Sequence, residues 1–139
     1  MTDFEKAKNL LKSGNYTCVL CKENEIFTSV KRGVKPLVEL YESNKNFCGF
    51  SAADKVIGKG AAFMYLLLGV SNIYADVISK PALTLLRSHG IYTEYKSETE
   101  NIINRQGDGI CPFEAAVSDI TDTDIAYKVI REKMEEMGI

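Results

Sequence analysis

The sequence predicts an α/β domain, a three-layer α-β-α sandwich with a mixed sheet. Three observations carry this. Two short β-prone runs, "YTCVLCK" and "EIFTSV", are separated by "EN" and predict a hairpin near the start. Strand-like and helix-like runs then alternate, as in βαβ units. "NIYADVIS" is a nearly continuous apolar run with one acid, Asp76, which suits a strand covered on both faces of a parallel sheet. With 139 residues and neither repeat nor low-complexity linker, residues 1–139 read as a single domain.

Residues 2–12 place Phe4, Ala7, Leu10 and Leu11 at helical spacing, and "SGN" ends the pattern. After the hairpin, "GVKPLVELYESN" predicts a short helix with proline in its first turn. From Ser51 to Leu68 runs the strongest helical pattern, apolar around most of its circumference. The strand "NIYADVIS" follows Gly69, and "KPALTLLRSHG" predicts a helix opened by proline and stopped by Gly90. "IYTEY" predicts another strand. The polar stretch "KSETENIINRQGDGI" is long for a connector, which points to a functional or mobile segment. Helices over 112–118 and 122–137 close the chain, giving the order α-β-β-α-α-β-α-β-α-α.

The apolar fraction of 45%, the charged fraction of 26% and the net charge of -2 belong to an ordinary soluble protein. They provide no electrostatic footprint for nucleic acid or an anionic membrane. The N-terminus lacks a signal-peptide pattern, and the longest uncharged run, Gly60 to Ala75, is short for a membrane span. A cytoplasmic location is expected, with the four cysteines mostly reduced. A small-molecule ligand, anionic or nucleotide-like, is the expected partner, and a homodimer is left open. No cofactor is expected.

Ligands of open α/β sheets bind beyond the carboxyl ends of parallel strands, where the next helices begin. Three helix starts are predicted there, at Ser51, Pro81 and Cys111. Each offers free N–H groups and partial positive charge. At the first, Ser51 and Asp54 fit a capping box, while Lys55, Gly58 and Lys59 share their wedge of the helix. Lysine near a helix N-terminus opposes the dipole, and Gly58 and Gly60 each cost about 1 kcal/mol in a helix interior. Those penalties suggest a ligand site, against the plainer reading of a solvated lysine face with packing glycines. At the second, Ser79 or Lys80 precedes Pro81; capping accounts for Ser79, and its place at a strand end adds a functional reading.

At the third start Cys111 is the cap, Pro112 the first helical residue and Glu114 the capping-box partner. Cysteine is a poor cap, and a helix N-terminus can lower a thiol's pKa, so Cys111 is a candidate nucleophile. The competing reading is a small buried hydrophobe. Arg105 and Asp108, in the polar approach, could contact a ligand. Cys18 and Cys21 form a C-x-x-C whose side chains point to opposite faces if it lies in a strand, so a zinc knuckle with Cys48 and Cys111 has little support. His89 suits a helix C-terminus better than a dyad with a cysteine.

On "ADKVIGKGAA", "SKPA" and "CPFE", the chain resembles the cytidine deaminase-like fold and, within it, a bacterial and archaeal family of unknown function. The similarity spans about residue 5 to 137. Zinc deaminases carry a histidine or cysteine and then a glutamate at one helix start, and P-C-x-x-C at the next. Here "AAD" and "PALTL" correspond: Ala52 and Asp54 take the first pair of positions, and Ala82 and Leu85 replace both cysteines. The resemblance therefore implies a deaminase-like cleft without zinc ligands. In it Cys111, Asp54, Lys59 and Glu114 would be catalytic, and Ser51, Lys55, Gly58, Ser79, Lys80 and Pro112 would bind ligand. Cys111 would be the nucleophile of a group transfer, the lysines would hold negative charge, and Asp54 or Glu114 would handle a proton. The alternative is a non-catalytic binding or redox-sensing module built on Cys111.

Overall fold

A computed structural model describes all 139 residues. Helix α1 (Asp3–Ser13) opens under a Thr2 cap, whose hydroxyl accepts from the Glu5 N–H at 3.1 Å. The hairpin follows as β1 (Cys18–Lys22) and β2 (Glu25–Ser29), antiparallel, with Glu23 left-handed in the turn (φ 55°). Next come α2 (Lys35–Glu42), β3 (Ser51–Ile57), α3 (Lys59–Leu68), β4 (Asn72–Ser79), α4 (Lys80–Ser88) and β5 (Tyr92–Thr99). Helices α5 (Pro112–Ala116) and α6 (Thr123–Met137) end the chain. The five-stranded mixed sheet has the order β2-β1-β3-β4-β5; β1 is antiparallel to both neighbours, and β3, β4 and β5 are parallel. No helix is long and apolar enough to cross a membrane.

Two elements differ from expectation. Strand β5 runs on to Thr99, so the polar stretch read as a connector from Lys96 begins as strand, held by its ladder to β4. Residues 51–57 form strand β3, and the helix begins only at Lys59, so Ser51 and Asp54 make no capping box. The strand sits in the middle of the sheet, paired with β1 on one side and β4 on the other. Ala52 and Ala53 are both fully buried, Ala52 in the core that includes α3 and Ala53 in the smaller core beneath α1. Two ladders of backbone hydrogen bonds and burial on both faces override alanine's preference for helix. Alternation also separates the two cysteines of β1: Cys21 packs on the α1 side and Cys18 beside Asp54 on the other.

Helix α1 covers one face of the sheet. On the other, α3 and α4 lie on the parallel strands, with α2, α5 and α6 packed against α3. Phe63, Met64 and Tyr65 are fully buried, so α3 is the internal helix, with only Lys59 at its start and Leu66 and Leu67 in its last turn partly exposed. It stops at Gly69, which is left-handed (φ 82°) and donates its N–H to the Tyr65 and Leu66 carbonyls, both at 3.1 Å. A Cβ there would also lie 3.3 Å from Cys48 Cα. Gly69→Ala is expected to cost about 2 kcal/mol by urea unfolding, from the left-handed penalty alone; an unchanged midpoint would show that α3 can end without this turn.

Candidate functional site

The parallel strands run directly into helices. Strand β4 ends at Ser79, whose buried hydroxyl accepts from the Ala82 N–H at 3.3 Å and caps α4, with Pro81 in the first turn. Strand β3 ends at Ile57, and α3 then begins behind Gly58, which is extended (φ -94°) and has no side chain to cap with. The missing cap comes from another element. Glu114 of α5 reaches across, and its Oε2 accepts the Lys59 N–H. A Cβ on Gly58 would stand 2.6 Å from that oxygen and 3.1 Å from Ile102 Cγ1; one on Gly60 would stand 3.1 Å from Phe113 Cβ. The two glycines are therefore where α5 and the 100–110 loop close over the start of α3. A tertiary carboxylate on a helix N-terminus is favourable for the same reason as a local one.

This rearranges the residues proposed from the sequence. Gly58, Lys59, Ser79, Lys80 and Glu114 all lie at or against the helix starts beyond the carboxyl ends of β3 and β4, while Pro112 opens α5. Cys111 caps α5 in backbone position only: its thiol makes no capping bond, and its N–H goes to the Ile102 carbonyl at 2.8 Å. Glu114 closes no capping box with Cys111, because its carboxylate is engaged with α3 instead. Ser51 lies at the opposite end of β3, a seven-residue strand that spans roughly 20 Å. Lys55 projects from the face of β3 opposite Asp54, and its N–H bonds to the Thr17 carbonyl at 3.0 Å.

Asp54 belongs to the interior. Tyr65 donates to its Oδ2 at 2.6 Å, and the Val56 N–H donates to Oδ1 at 3.2 Å. Burial nevertheless pushes its carboxyl up to about 7, against the lowering effect of those hydrogen bonds. Burial also raises the Cys18 thiol well above its ordinary range, with Asp54 beside it adding to the effect. This triad packs the sheet against α3 and takes no part in the helix-start cluster.

A cavity of about 590 Å3 opens beside the helix starts, and both Lys59 and Lys80 line it. Lys59 Nζ donates to the Ser118 carbonyl at 2.9 Å and stands over the Phe63 ring; Lys80 Nζ pairs with Glu100 at 2.6 Å. Thr84, Ser88, His89, Asn101 and Thr121 complete its polar lining. His89 is the C-cap residue of α4 and belongs to this wall without reaching Cys111's helix in any hydrogen bond. Glu100 and Asn101 fall in the polar stretch noted in the sequence, whereas nothing in the local sequence marks Thr121. A larger cavity of about 890 Å3, lined by Lys22, Phe27, Phe47 and Cys48 among others, lies at the hairpin tip near the amino end of β3, where no helix starts converge.

The zinc deaminases that the sequence resembles hold their metal with donors at two helix starts. The helix starts after β3 and β4 here offer Gly58, Lys59 and Gly60 at one, and Ala82 and Leu85 at the other. The correspondence drawn from "AAD" shifts accordingly: Ala52 and Asp54 are strand residues, and the helix start after β3 is "GKG". No group of three or more His, Cys, Asp or Glu side chains lies together. The donor set does not fit zinc.

Fold and site define an α/β protein with a ligand-sized, lysine-flanked cavity beyond the carboxyl ends of parallel strands. The family described as "TM1506: Domain of unknown function (DUF1893)" matches residues 6–134, and the chain belongs to it. The crystal structure of a DUF1893 family protein (TM1506) from Thermotoga maritima is similar, with a TM-score of 0.85 and 30% identity, covering 93% of this chain and 88% of that one. A search of curated proteins gives no match.

Proposed function

We propose that this protein binds a small molecule bearing an anionic group in the cavity beyond β3 and β4, on a deaminase-like scaffold that has no zinc site. The observation that carries the reading is that the first residues of two successive crossover helices, Lys59 and Lys80, line one cavity. Its volume, about 590 Å3, lies within the range of small-molecule sites and suits a nucleotide-sized ligand. The strand order supports the deaminase-like part of the reading, with an antiparallel hairpin followed by parallel β3, β4 and β5. The four unpaired cysteines suit a cytoplasmic protein.

Binding without turnover fits better than group transfer at Cys111. Asp54 is tied into the interior by Tyr65, Lys55 projects from the opposite face of β3, and Glu114 is already engaged at the start of α3. In titrations with inorganic phosphate and with AMP followed by amide NMR, the expected response centres on Lys59, Lys80, Asn101 and Thr121. Lys59→Ala and Lys80→Ala should each weaken binding about fivefold, the effect of losing roughly 1 kcal/mol of exposed ion pairing. Cys111→Ser should leave it unchanged. A response centred elsewhere, or affinities indifferent to both lysines, would sink the reading.

A further inference from the structure

Glu114 carries more than a helix cap. Its side chain is 3% exposed, Oε2 is held by the Lys59 N–H, and Oε1 is buried with no hydrogen-bond partner. A buried acceptor left unmatched costs about 1–3 kcal/mol, more when it is charged. Protonation does not cure this, because a carboxylic acid brings an O–H donor that needs a partner of its own. Gly58 leaves room for Oε2, and Ile102 Cγ1 packs near the same point. The only other buried side-chain atom in this condition, Asn72 Oδ1, lies at the amino end of β4, away from the helix starts.

One hydrogen bond joins Glu114 to the wall of the proposed binding cavity. Lys59, whose N–H it holds, lines that cavity, and so does Asn101, the neighbour of Ile102. We infer that Glu114 recognises the ligand: Oε1 accepts a hydrogen bond from an N–H or O–H donor on the molecule bound beside Lys59. This rests on the cavity being the ligand site. It narrows the ligand to a molecule with two features, an anionic group for Lys59 and Lys80 and a hydrogen-bond donor for Glu114. An amine, amidine or hydroxyl would serve as that donor.

The two features are tested by separate probes. Formamidinium chloride, a small planar N–H donor with an innocuous counterion, is titrated into 13C-labelled protein while the Glu114 side-chain carboxyl resonance and the Lys59 amide are followed. Saturable shifts at both are expected. Glu114→Gln keeps the shape and an oxygen for the Lys59 N–H but turns an N–H outward where Oε1 stood. It should weaken formamidinium binding about tenfold or more, the worth of one charge-assisted hydrogen bond. Shifts that do not saturate, or equal affinity in the Gln variant, overturn the inference; so does a crystal structure in which a buried water holds Oε1 and stays in place with the probe present. Inorganic phosphate provides the independent arm. A phosphate response at the lysines without a formamidinium response at Glu114 removes this inference and leaves the cavity reading standing. The opposite pattern removes the anionic group and supports Glu114 as acceptor.

Discussion

Asp54→Asn is expected to make the protein more stable above pH 7, and to flatten a loss of stability that the native protein suffers between about pH 4 and 7. The ordinary carboxyl value is 3.8, and burial between the sheet and α3 pushes it up to about 7 in the fold. Below pH 4 the group is neutral in both states and its contribution is fully present. Between the two values unfolding releases a proton, so rising pH favours the unfolded chain; above about 7 the loss levels off. At roughly 1.4 kcal/mol per pH unit the loss reaches about 4 kcal/mol. The groups facing Asp54 are Tyr65 from α3 and Cys18 from β1, and Asp76 on the far face of β4 adds a weaker like charge; none offers a positive charge to offset it. Asparagine keeps the acceptor for Val56 but asks the Tyr65 hydroxyl to find another, a cost of about 1 kcal/mol. The net gain at pH 8 is therefore about 3 kcal/mol, read from urea unfolding of both proteins at pH 5, 6, 7 and 8. Parallel pH profiles would show that Asp54 is solvated or paired in a way the structure does not contain.

Gly58→Val should cost about 3 kcal/mol, and about half of that cost should vanish in the absence of Glu114. A Cβ at 58 falls 2.6 Å from Glu114 Oε2 and 3.1 Å from Ile102 Cγ1, and two further methyls leave neither side chain a place to move. Overpacking contributes about 1–3 kcal/mol, and the orphaned Lys59 N–H adds about 1 kcal/mol or more. Gly58→Ala is the graded control. Its single Cβ meets the tip of a flexible side chain, so the carboxylate can swing aside at smaller cost while the Lys59 bond is lost. Position 58 is extended, so backbone strain does not enter. Combined with Glu114→Ala, Gly58→Val should show a coupling of about 1–2 kcal/mol. Additive effects would mean that the glycine serves some contact other than the carboxylate.

Why β3 reads as helix in the sequence follows from the same geometry. "SAADKVIGKGAAFMYLLL" is continuous, rich in alanine and poor in β-branched residues until Val56 and Ile57. Helices on both sides of the sheet press so closely on β3 that alanine is what fits at 52 and 53, and alanine carries no strand signal. The sequence did hold a warning: two glycines that would burden a helix interior are comfortable once Gly58 is a helix boundary. By contrast, the hairpin, β4 and α4 were legible, because "EN", the apolar run and the Ser-Lys-Pro start are local signals. The site was legible in part for the same reason. Helix starts at Ser79 and Cys111 could be read from caps and prolines, but the partner of Glu114 could not. Its bond to Lys59 joins residues 55 apart and depends on the packing of α5 against α3.

That distance along the chain sets an order of assembly. Every strand of the sheet precedes residue 100, so α3 can dock on β3 and β4 while its N-terminus is still bare. Only when the following segment folds back does a carboxylate arrive to close it. During synthesis from the amino end, all five strands are thus made before the segment that closes the start of α3, and the core itself waits for α5 and α6 to supply Phe113, Val117, Ala126, Ile130 and Met134.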